Sequence, residues 1–391
     1  MKGGPFSEKT VSAIKRGFRE YYFKQSNAIE EPSKIEQREF GYMQFGQSGM
    51  TRHLSFKTMK ELNALLVRET PSDVYCSNAY YQFPTQQPMQ EKHWLGADLI
   101  FDIDGKDLNL PCVLSHSYVL CLSCGYALPF MPEEQKSYSC ASCGSNKIDQ
   151  LSIPCSKCIE ASKNEIKRLI EFLEIDLGVQ SDHIHTYFSG NNGFHVAMKN
   201  DAYALLDPHA RSELVGYLSG TGLISESIGV RRSSTTEDLF TIKFPKSGLS
   251  YGWRRRIADK LKIDNSSTNR LKHIVKEKGG YASFIHELTT LVKDMGVRLD
   301  PQVTTDIHRV FRMPGTLNGK SGLAKKKCTD LQSFDPFVDA CVLGDGKVSV
   351  KVKAPLKVKM RNKSFSLTKE SADLPAYVAI YLMCKGLAEA I

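Results

Sequence analysis

Apolar residues recur along this chain with two different periods, and the change of period predicts where strands and helices lie. Short β-branched and aromatic runs bounded by turn residues are typical of strands, whereas apolar positions three and four residues apart are typical of helices. Strands are predicted at 38–42, 52–56, 73–83, 96–104, 184–188, 299–303 and around 348–358. One more strand is predicted directly after the turn that follows 184–188. Helices are predicted within 1–35, where Ser7 is a candidate cap, and at 57–68, 160–173, 207–218, 253–263 and 281–293.

This order of elements predicts an α+β fold with mixed or antiparallel sheets flanked by helices. Residues 112–158 contain most of the cysteines and predict a zinc-binding insertion, while 201–292 is mostly helical, polar and basic and predicts an α-helical insertion. The expected organisation is a first part of the core at 1–200, the helical insertion at 201–292, and a second part of the core at 293–391.

The run from Gly96 to Gly105 ends an apolar strand with two carboxylates, Asp102 and Asp104. Side chains two residues apart on a strand share a face, and two acids on one face at the end of an apolar strand favour a bound cation. The pair suits two-metal nucleotidyl transfer, in which ions roughly 3.5–4 Å apart clamp the attacking and leaving oxygens. Taken alone, an Asp-x-Asp pair is also common in turns and solvated loops.

Three C-x-x-C pairs predict zinc rather than disulfides. The first two pairs form one predicted zinc ribbon with a glycine after each knuckle; its ligands are Cys121, Cys124, Cys140 and Cys143. Four thiolates at this spacing match a closed tetrahedral structural site. The alternative is reduced free thiols.

The third pair, Cys155 and Cys158, needs two more ligands. Cys112 and His116 lie just before the ribbon, and if the ribbon is an insertion the four residues can close a second structural site. Alternatively, the six paired cysteines share ligands differently and Cys112 is a small core residue.

The segment after Asp300 supplies candidate phosphate ligands. Asp300 is predicted to end an apolar strand, and Arg309, Arg312 and Lys320 follow at spacings that allow them to gather around a triphosphate. The turn Ser189-Gly190-x-x-Gly193 can present backbone N–H groups to the same phosphates, with His195 beside it. In isolation that motif is only a turn, and His195 is only a strand histidine.

Composition sets wider limits. The net charge of +9 fits a polyanionic partner without requiring one. Basic clusters are a candidate track for a nucleic-acid backbone or simply solvated faces; they lie at Lys243–Lys246, Arg254–Arg256, Lys325–Lys327 and Lys351–Lys363. No apolar run approaches a membrane span and the first residues lack a secretory core, so the expected location is the cytoplasm, with no membrane partner.

Together these motifs resemble the catalytic small subunit of the archaeal–eukaryotic DNA primases, most closely the archaeal form. The resemblance runs from about Arg38 to Lys320. It rests on five motifs in order: Arg38-Glu39-Phe40-Gly41; Arg52-His53-Leu54-Ser55-Phe56; Gly96-Ala97-Asp98-Leu99 with Asp102-x-Asp104; Ser189-Gly190-x-x-Gly193-x-His195; and Asp300-x-x-Val303-Thr304 through Pro314-Gly315.

The resemblance implies a catalytic metal triad of Asp102, Asp104 and Asp300 that holds two Mg²⁺ or Mn²⁺ ions. It implies nucleotide contacts from Glu39, Arg52, Ser189, Gly190, His195, Arg309 and Lys320. It also matches Cys112, His116, Cys155 and Cys158 to a structural Zn²⁺ knuckle beside the active site. The zinc ribbon of Cys121, Cys124, Cys140 and Cys143 is then an extra feature that the family pattern does not include.

Two departures from the family concern the phosphates. The middle of the Ser-Gly-x-x-Gly turn is often Arg in the family, and here it is Asn191 and Asn192, so Lys320 and nearby arginines are expected to carry more of the phosphate binding. Asn318 stands where the family often has His, which makes one phosphate donor neutral.

The predicted function is synthesis of short primers de novo on single-stranded DNA from NTPs or dNTPs, with a primase large subunit as partner. The helical insertion and the basic segment 347–363 are the candidate docking surfaces for that subunit. One rival is a polymerase of the same superfamily that extends existing ends in repair or lesion bypass. The other is a non-catalytic zinc-ribbon protein that binds nucleic acid, which would leave the three acids without a role.

Overall fold

The computed structural model of the chain describes residues 6–131, 139–224, 230–232, 240–242, 251–262 and 268–391. Its α-helices are α1 (Glu8–Lys24), α2 (Met59–Glu69), α3 (Ser156–Glu171), α4 (Asp201–Ala204), α5 (Pro208–Ser219), α6 (Gly252–Leu261), α7 (Thr268–Glu277), α8 (Tyr281–Met295), α9 (Pro301–Thr305), α10 (Pro336–Asp339) and α11 (Ala376–Cys384). A π-helical turn, Phe172–Asp176, extends α3.

The strands before the helical region are β1 (Phe40–Met43), β2 (Met50–Leu54), β3 (Asp73–Ser77), β4 (Ala79–Tyr81), β5 (Trp94–Ala97), β6 (Leu99–Asp104), β7 (Ser117–Cys121), β8 (Ala127–Pro129), β9 (Ile148–Ser152), β10 (Ile184–Phe188) and β11 (Gly193–Met198). Those that follow are β12 (Val230–Arg232), β13 (Phe240–Ile242), β14 (Val310–Arg312), β15 (Lys326–Lys327), β16 (Lys347–Val352), β17 (Leu356–Met360), β18 (Lys363–Leu367), β19 (Ser371–Pro375) and β20 (Ala388–Ala390).

Two four-stranded antiparallel sheets position the functional residues. One has the strand order β14-β3-β1-β2 and the other β15-β10-β11-β6. The cysteine-rich segment forms a small sheet of order β8-β7-β9, and the C-terminal part adds a β19-β16-β20 sheet and a β17-β18 hairpin. The fold is therefore the predicted α+β arrangement with antiparallel sheets, and the cysteine-rich segment runs from the end of β6 into the first turn of α3.

The core packs around two helices from opposite ends of the chain. Helix α11 is apolar throughout, and its residues from Tyr377 to Cys384 are buried. It contacts α1 at Gly17, where a Cβ atom would collide with the Ile380 side chain. The N-terminal helix is capped by Ser7, whose hydroxyl accepts from the Thr10 N–H at 3.2 Å. The two chain ends are thus held in one core, which also contacts the sheets.

Most predicted elements are confirmed, but several differ in extent or type. The N-terminal helix ends at Lys24, and the predicted strand at 73–83 is two strands, β3 and β4. Within the mostly helical region the structure adds the β12–β13 hairpin. The basic cluster at 243–246 lies outside the described residues. No helix in the described ranges is both long and apolar enough to cross a bilayer.

The predicted strand at 299–303 is wrong, and the difference changes how Asp300 is held. Asp300 is the N-cap of the short helix α9, with Pro301 as the first helical residue. The Asp300 carboxylate accepts from the Gln302 N–H at 2.9 Å. An Asp followed by a Pro is the favoured start of a helix, and this local preference outweighs the β-branched character of Val303 and Thr304.

Candidate active site

The carboxylates of Asp102 and Asp104 lie at the end of β6 on the face that lines a cleft. Phe101 and Ile103 alternate with them and are fully buried on the opposite face. Strand β6 is the edge strand of its sheet and pairs with β11, so that His195 lies directly opposite Asp102 and Gly193 opposite Asp104. The period of two therefore places both acids on one face, as predicted.

Asp300 comes to the same place from a segment almost 200 residues further along the chain. Its backbone N–H donates to the carbonyl oxygen of Asp102 at 3.1 Å. Among the described residues, the groups of acidic, His or Cys side chains whose ligand atoms all lie within 4.8 Å of one another are the two cysteine-rich ones. The carboxylate oxygens of the three aspartates are therefore spaced more widely than the ligand atoms of the two cysteine clusters. Such spacing is typical of an open metal site.

The electrostatics of the three acids fit a divalent cation. Burial, followed by the negative charges of Asp104 and Asp300, raises the pKa of Asp102 to about 7. Carboxylate oxygens are the ligands that Mg²⁺ and Mn²⁺ prefer in proteins. A cation between these groups would remove the repulsion that now opposes the ionisation of Asp102, so the donor set suits such an ion.

The turn Ser189-Gly190-Asn191-Asn192-Gly193 lies against the end of β6. The Ser189 hydroxyl accepts from the Gly193 N–H at 3.2 Å, and the Asn192 carbonyl accepts from the Gly105 N–H at 3.2 Å. Gly190 has a φ of +92°, which favours glycine. A Cβ on Gly193 would lie 2.8 Å from the Ile103 carbonyl oxygen. The glycines thus let the turn approach the acid-bearing strand closely.

Two cations face this turn across the cleft. Arg309 and Lys320 line the same cleft as Asp102, Asp104 and Ser189. Within the described part of the chain, neither forms an ion pair with an acid within 4.0 Å. Both charges are therefore available to an anion that enters the cleft.

Arg312 is less available than the sequence suggests. Its guanidinium is 2.6 Å from the Asp73 carboxylate and donates to the Leu317 carbonyl at 2.9 Å. Asp73 also accepts from the Gly319 N–H at 3.1 Å. Arg312 therefore holds the loop that carries Lys320, and its charge is largely compensated by Asp73.

His195 lies between a carboxylate and a buried lysine. Its Nε2 atom is 3.3 Å from Asp102 Oδ1, and its Nδ1 atom is 3.1 Å from Lys325 Nζ. Burial and the positive charges around it lower the pKa of His195 well below its usual value, while burial and Arg312 lower the pKa of Lys325 to about 7. A lysine ammonium can only donate, so Nδ1 accepts and the proton of the neutral ring lies on Nε2, the atom that faces Asp102. His195 thus lies against Asp102; its predicted phosphate contact stays a prediction.

Glu39 and Arg52 belong to a separate buried cluster. The Glu39 carboxylate is fully buried; it lies 2.8 Å from Arg52 Nε and 3.4 Å from Lys92 Nζ. Neither Glu39 nor Arg52 is among the residues that line the cleft with the aspartates. The structure brings these two residues together, and their contact with a nucleotide stays a prediction.

The predicted knuckle ligands come together. The ligand atoms of Cys112, His116, Cys155 and Cys158 all lie within 4.8 Å of one another. The Cys158 sulfur lies 3.5 Å from that of Cys112 and 3.3 Å from His116 Nε2. Thiolates bound to one Zn²⁺ at about 2.3 Å are separated by roughly 3.8 Å. Burial lowers the pKa of His116, which favours the neutral imidazole that ligation requires. These residues fit structural zinc.

The ribbon ligands form a second cluster of the same kind. Cys121 and Cys143 have sulfurs 3.6 Å apart, as do Cys124 and Cys140. The glycines after the two knuckles, Gly125 and Gly144, have φ values of +72° and +70°. Two independent four-ligand clusters therefore suit two structural zinc ions, and Cys112 is a member of a cluster rather than a core residue.

Comparison with known proteins agrees with this geometry. A family model described as DNA primase small subunit matches residues 148–329. Relatives named DNA primase small subunit PriS align over nearly all of the chain. The one from Nitrosopumilus maritimus is 42% identical over 98% of this chain and 99% of its own length. That from Cenarchaeum symbiosum is 40% identical (98% and 99%), and that from Archaeoglobus fulgidus 31% (95% and 96%).

This chain belongs to the DNA primase small subunit family. The resemblance to the archaeal type is thereby confirmed. The protein is a primase catalytic subunit, an enzyme of the nucleotidyltransferase class that belongs to DNA replication and whose family works on a DNA template with NTP substrates.

Sequence reasoning missed three side chains that shape this primase site. Asp73 pairs with Arg312, Lys325 faces His195, and Lys385 contacts Asn191 at 2.8 Å. Lys325 is visible in the sequence only as the first of three lysines, and its burial is not. Asp73 begins a strand and resembles any strand-end acid. The contacts of all three join segments that are remote in sequence, so no local pattern marks them.

Proposed function

We propose that this primase subunit starts primers de novo on single-stranded DNA, joining NTPs or dNTPs by two-metal nucleotidyl transfer. One observation supports the proposal above the others. One cleft is lined by Asp102, Asp104, Arg309 and Lys320, and beside it the backbone N–H of Asp300 donates to the carbonyl oxygen of Asp102. Acids beside cations in one cleft match a nucleotide whose triphosphate spans both.

Asp102, Asp104 and Asp300 are the residues that would hold the divalent ions, Mg²⁺ or Mn²⁺. When bound, such ions lower the pKa of the attacking 3′-hydroxyl and neutralise the charge that develops on the α-phosphate. The neutral imidazole of His195 lies against Asp102, with its Nε2 atom 3.3 Å from Asp102 Oδ1. This arrangement matters because phosphoryl transfer depends on positioning and electrostatics rather than on covalent catalysis by the protein.

The remaining residues of the cleft bind the nucleotide tail in this proposal. Arg309 offers a guanidinium fork and Lys320 a compact charge to the phosphate oxygens, and the Ser189–Gly193 turn offers backbone N–H groups. The 3′-oxygen then forms a bond to the α-phosphorus as the bond to the bridging oxygen breaks, and pyrophosphate leaves. Glu39 and Arg52 are proposed to support the nucleotide pocket from the adjacent cluster.

The test is synthesis on a circular single-stranded DNA template that carries no primer, with labelled NTPs or dNTPs and Mn²⁺ or Mg²⁺. The proposal predicts short labelled products from the unprimed circle. An enzyme that extends existing ends in repair or lesion bypass would label a primed circle only, and that result would reject de novo initiation. The Asp102→Asn variant in the same assay separates template-directed synthesis from a contaminant.

We also propose a larger partner subunit. The relatives' name, small subunit, supports such a partner, and the helical insertion and segment 347–363 are the candidate docking surfaces. The two subunits, co-expressed from the same organism, should elute together from a size-exclusion column as a one-to-one complex. Separate elution of the two would reject the partner. Two zinc-type cysteine clusters support a cytoplasmic location, where thiols stay reduced.

A further inference from the structure

The turn that faces the nucleotide cleft has no charged residue of its own. Its sequence is Ser189-Gly190-Asn191-Asn192-Gly193, and both asparagines line the cleft. Behind the turn, however, lies the ammonium group of Lys385, which follows helix α11. Lys385 is 7% exposed, and its Nζ atom lies 2.8 Å from Asn191 Oδ1. A buried positive charge is thus in direct contact with a residue of the cleft wall.

All close partners of this ammonium are neutral. They are the Asn191 amide oxygen, the Ser152 carbonyl oxygen at 3.3 Å and the Tyr381 ring, whose centre is 5.7 Å away. Within the described ranges, no carboxylate lies within 4.0 Å of Lys385 Nζ. A buried cation normally has a paired anion, because desolvation of a charge is costly. The missing anion indicates that a ligand in the cleft supplies the negative charge.

The contact also fixes the orientation of the Asn191 side chain. A lysine ammonium has three N–H donors and no acceptor, so only the amide oxygen of Asn191 can face it. The amide NH₂ group must therefore point away from Lys385. Because Asn191 itself lines the cleft, this arrangement leaves two N–H donors for an acceptor there. Phosphate oxygens are acceptors of that kind.

The electrostatic surroundings of Lys385 agree with this position. Burial lowers the pKa of Lys385 to about 8; the neighbouring Cys384 opposes this shift, Lys320 adds to it and Asp104 opposes it. Lys320 and Asp104 line the cleft. The ammonium is buried and in contact with the cleft residue Asn191, so its charge is screened less than that of an exposed lysine.

We propose that Lys385 is a positioning residue for the nucleotide triphosphate: it orients the Asn191 amide toward the phosphates and supplies the positive charge that the turn lacks. This role rests on the proposed function, because it assumes that phosphates occupy the cleft beside Asn191. It also links the cleft to the knuckle, since Ser152, the second acceptor, lies three residues before the ligand Cys155.

The test uses inorganic tripolyphosphate as the probe, since it carries the phosphates without a base or sugar. Its inhibition constant is measured in primer synthesis by the full-length protein, with Lys385→Met and Lys385→Gln as the variants. Lys385→Met removes both the charge and the donor, and we expect the inhibition constant and the KM for NTP to rise about tenfold with kcat within twofold. Lys385→Gln keeps an N–H donor and loses the charge, so its inhibition constant should rise less. It also serves if Lys385→Met does not fold.

Lys163→Met is the matched control. Lys163 is equally buried and donates to a main-chain oxygen, that of Gln332 at 3.0 Å, but it does not line the cleft. We expect its inhibition constant to equal that of the wild type. Equal inhibition of the Lys385 variants and the wild type, with only a lower Tm, would overturn the positioning role while leaving the proposed function intact. Conversely, direct tripolyphosphate binding that weakens in Lys385→Met, without any primer synthesis by the wild type, would reject the proposed function and keep the inference.

Discussion

Asp102 is the residue in which function and stability conflict most clearly. It lies near Asp104 and Asp300, its side chain is 23% exposed, and burial and these two charges raise its pKa to about 7. The unfolded chain ionises an aspartate near a pKa of about 3.9. Ionisation of this group therefore favours the unfolded state, unless a bound cation compensates the charge. Such conflicts are common where a site is built to bind a charged ligand.

We predict that Asp102→Asn lowers primer synthesis on the order of 10³-fold, because metal-held charge stabilisation is worth several kcal/mol. The amide keeps the size of the carboxylate, so the protein should stay folded. Product formed on unprimed template is the measurement. Asp182→Asn, at an acid that is 74% exposed, is the control and should keep wild-type activity. Near-normal synthesis by Asp102→Asn would refute the assignment.

Asp102→Asn should lower activity but raise the stability of the metal-free protein. Since the folded state holds the Asp102 proton up to a pH of about 7, the free energy of unfolding of the metal-free wild type should fall as pH rises from about 4 to 7. Asp102→Asn lacks this titration, so its Tm should exceed that of the wild type at pH 8. Thermal melts in a chelator measure it, and a lower Tm would contradict the account.

Arg309 and Lys320 are predicted to act on nucleotide binding. In the described part of the chain neither forms an ion pair within 4.0 Å, and a hydrogen bond to a charged group contributes about 1.5–3 kcal/mol. Arg309→Ala and Lys320→Ala should each raise the KM for NTP by roughly 10–100-fold. Lys293→Ala, at an exposed residue of α8, is the control. Steady-state kinetics decide, and an unchanged KM in both variants would exclude this cation pair from the pocket.

For single residues, the sequence predicts the features that depend on a local pattern. The shared face of Asp102 and Asp104 follows from the strand period, and the cysteine spacing defines both zinc-type clusters. The partners of His195 and Arg312 cannot be predicted in this way. Lys325 and Asp73 are 130 and 239 residues away in sequence, and their contacts depend on how the two sheets meet.

Among the elements, the turn between β10 and β11 depends on close packing against β6. A methyl group on Gly193 would meet the Ile103 carbonyl oxygen at 2.8 Å and the Asp104 Cα at 3.1 Å. Gly193→Ala should therefore displace the turn, raise the KM for NTP and lower stability by about 1–3 kcal/mol. Gly344→Ala is the control, because nothing lies within 4 Å of its Cβ position. Wild-type kinetics and Tm in Gly193→Ala would show that the turn tolerates displacement.

The cysteine-rich insertion is predicted to contain two zinc ions per chain. Elemental analysis of the purified protein should give two, and Cys124→Ser and Cys112→Ser should each give one, because the two clusters share no ligand. Cys76→Ser, at a buried cysteine outside both clusters, controls for a general effect of losing a thiol. A wild-type value of one, or loss of both ions in either variant, would contradict independent sites.

Helices and strands were predicted correctly in segments where apolar residues follow a single helical or strand period. The prediction failed where a helix-capping residue competes with that period. Strands β10 and β11 and helix α8 lie close to the predicted ranges. The segment around Asp300 has strand-forming residues, yet the Asp-Pro pair starts a helix there. The outcome still places Asp300 beside β6, through its backbone bond to Asp102. The boundaries of the proposed insertions and core parts stay predictions.

On the scale of the whole molecule, the cleft exists because two sheets present different chemistry to one another. The β15-β10-β11-β6 sheet presents the acids and the turn, and the β14-β3-β1-β2 sheet presents Arg312 and Asp73, with Arg309 just before β14. Antiparallel pairing between distant segments sets this arrangement, and single-sequence patterns carry little information about it. The order of the sequence motifs was enough to identify the family. The contacts of each site residue became visible only from the packing of the two sheets.

The most direct test of the account is a crystal structure of the protein with Mn²⁺ and a non-hydrolysable nucleoside triphosphate, with anomalous scattering to locate manganese. The account predicts manganese in the cleft, with carboxylate oxygens of Asp102, Asp104 and Asp300 at about 2.1 Å and the triphosphate against Arg309 and Lys320. Manganese bound elsewhere, with the Asp300 carboxylate out of reach of the other two, would contradict it.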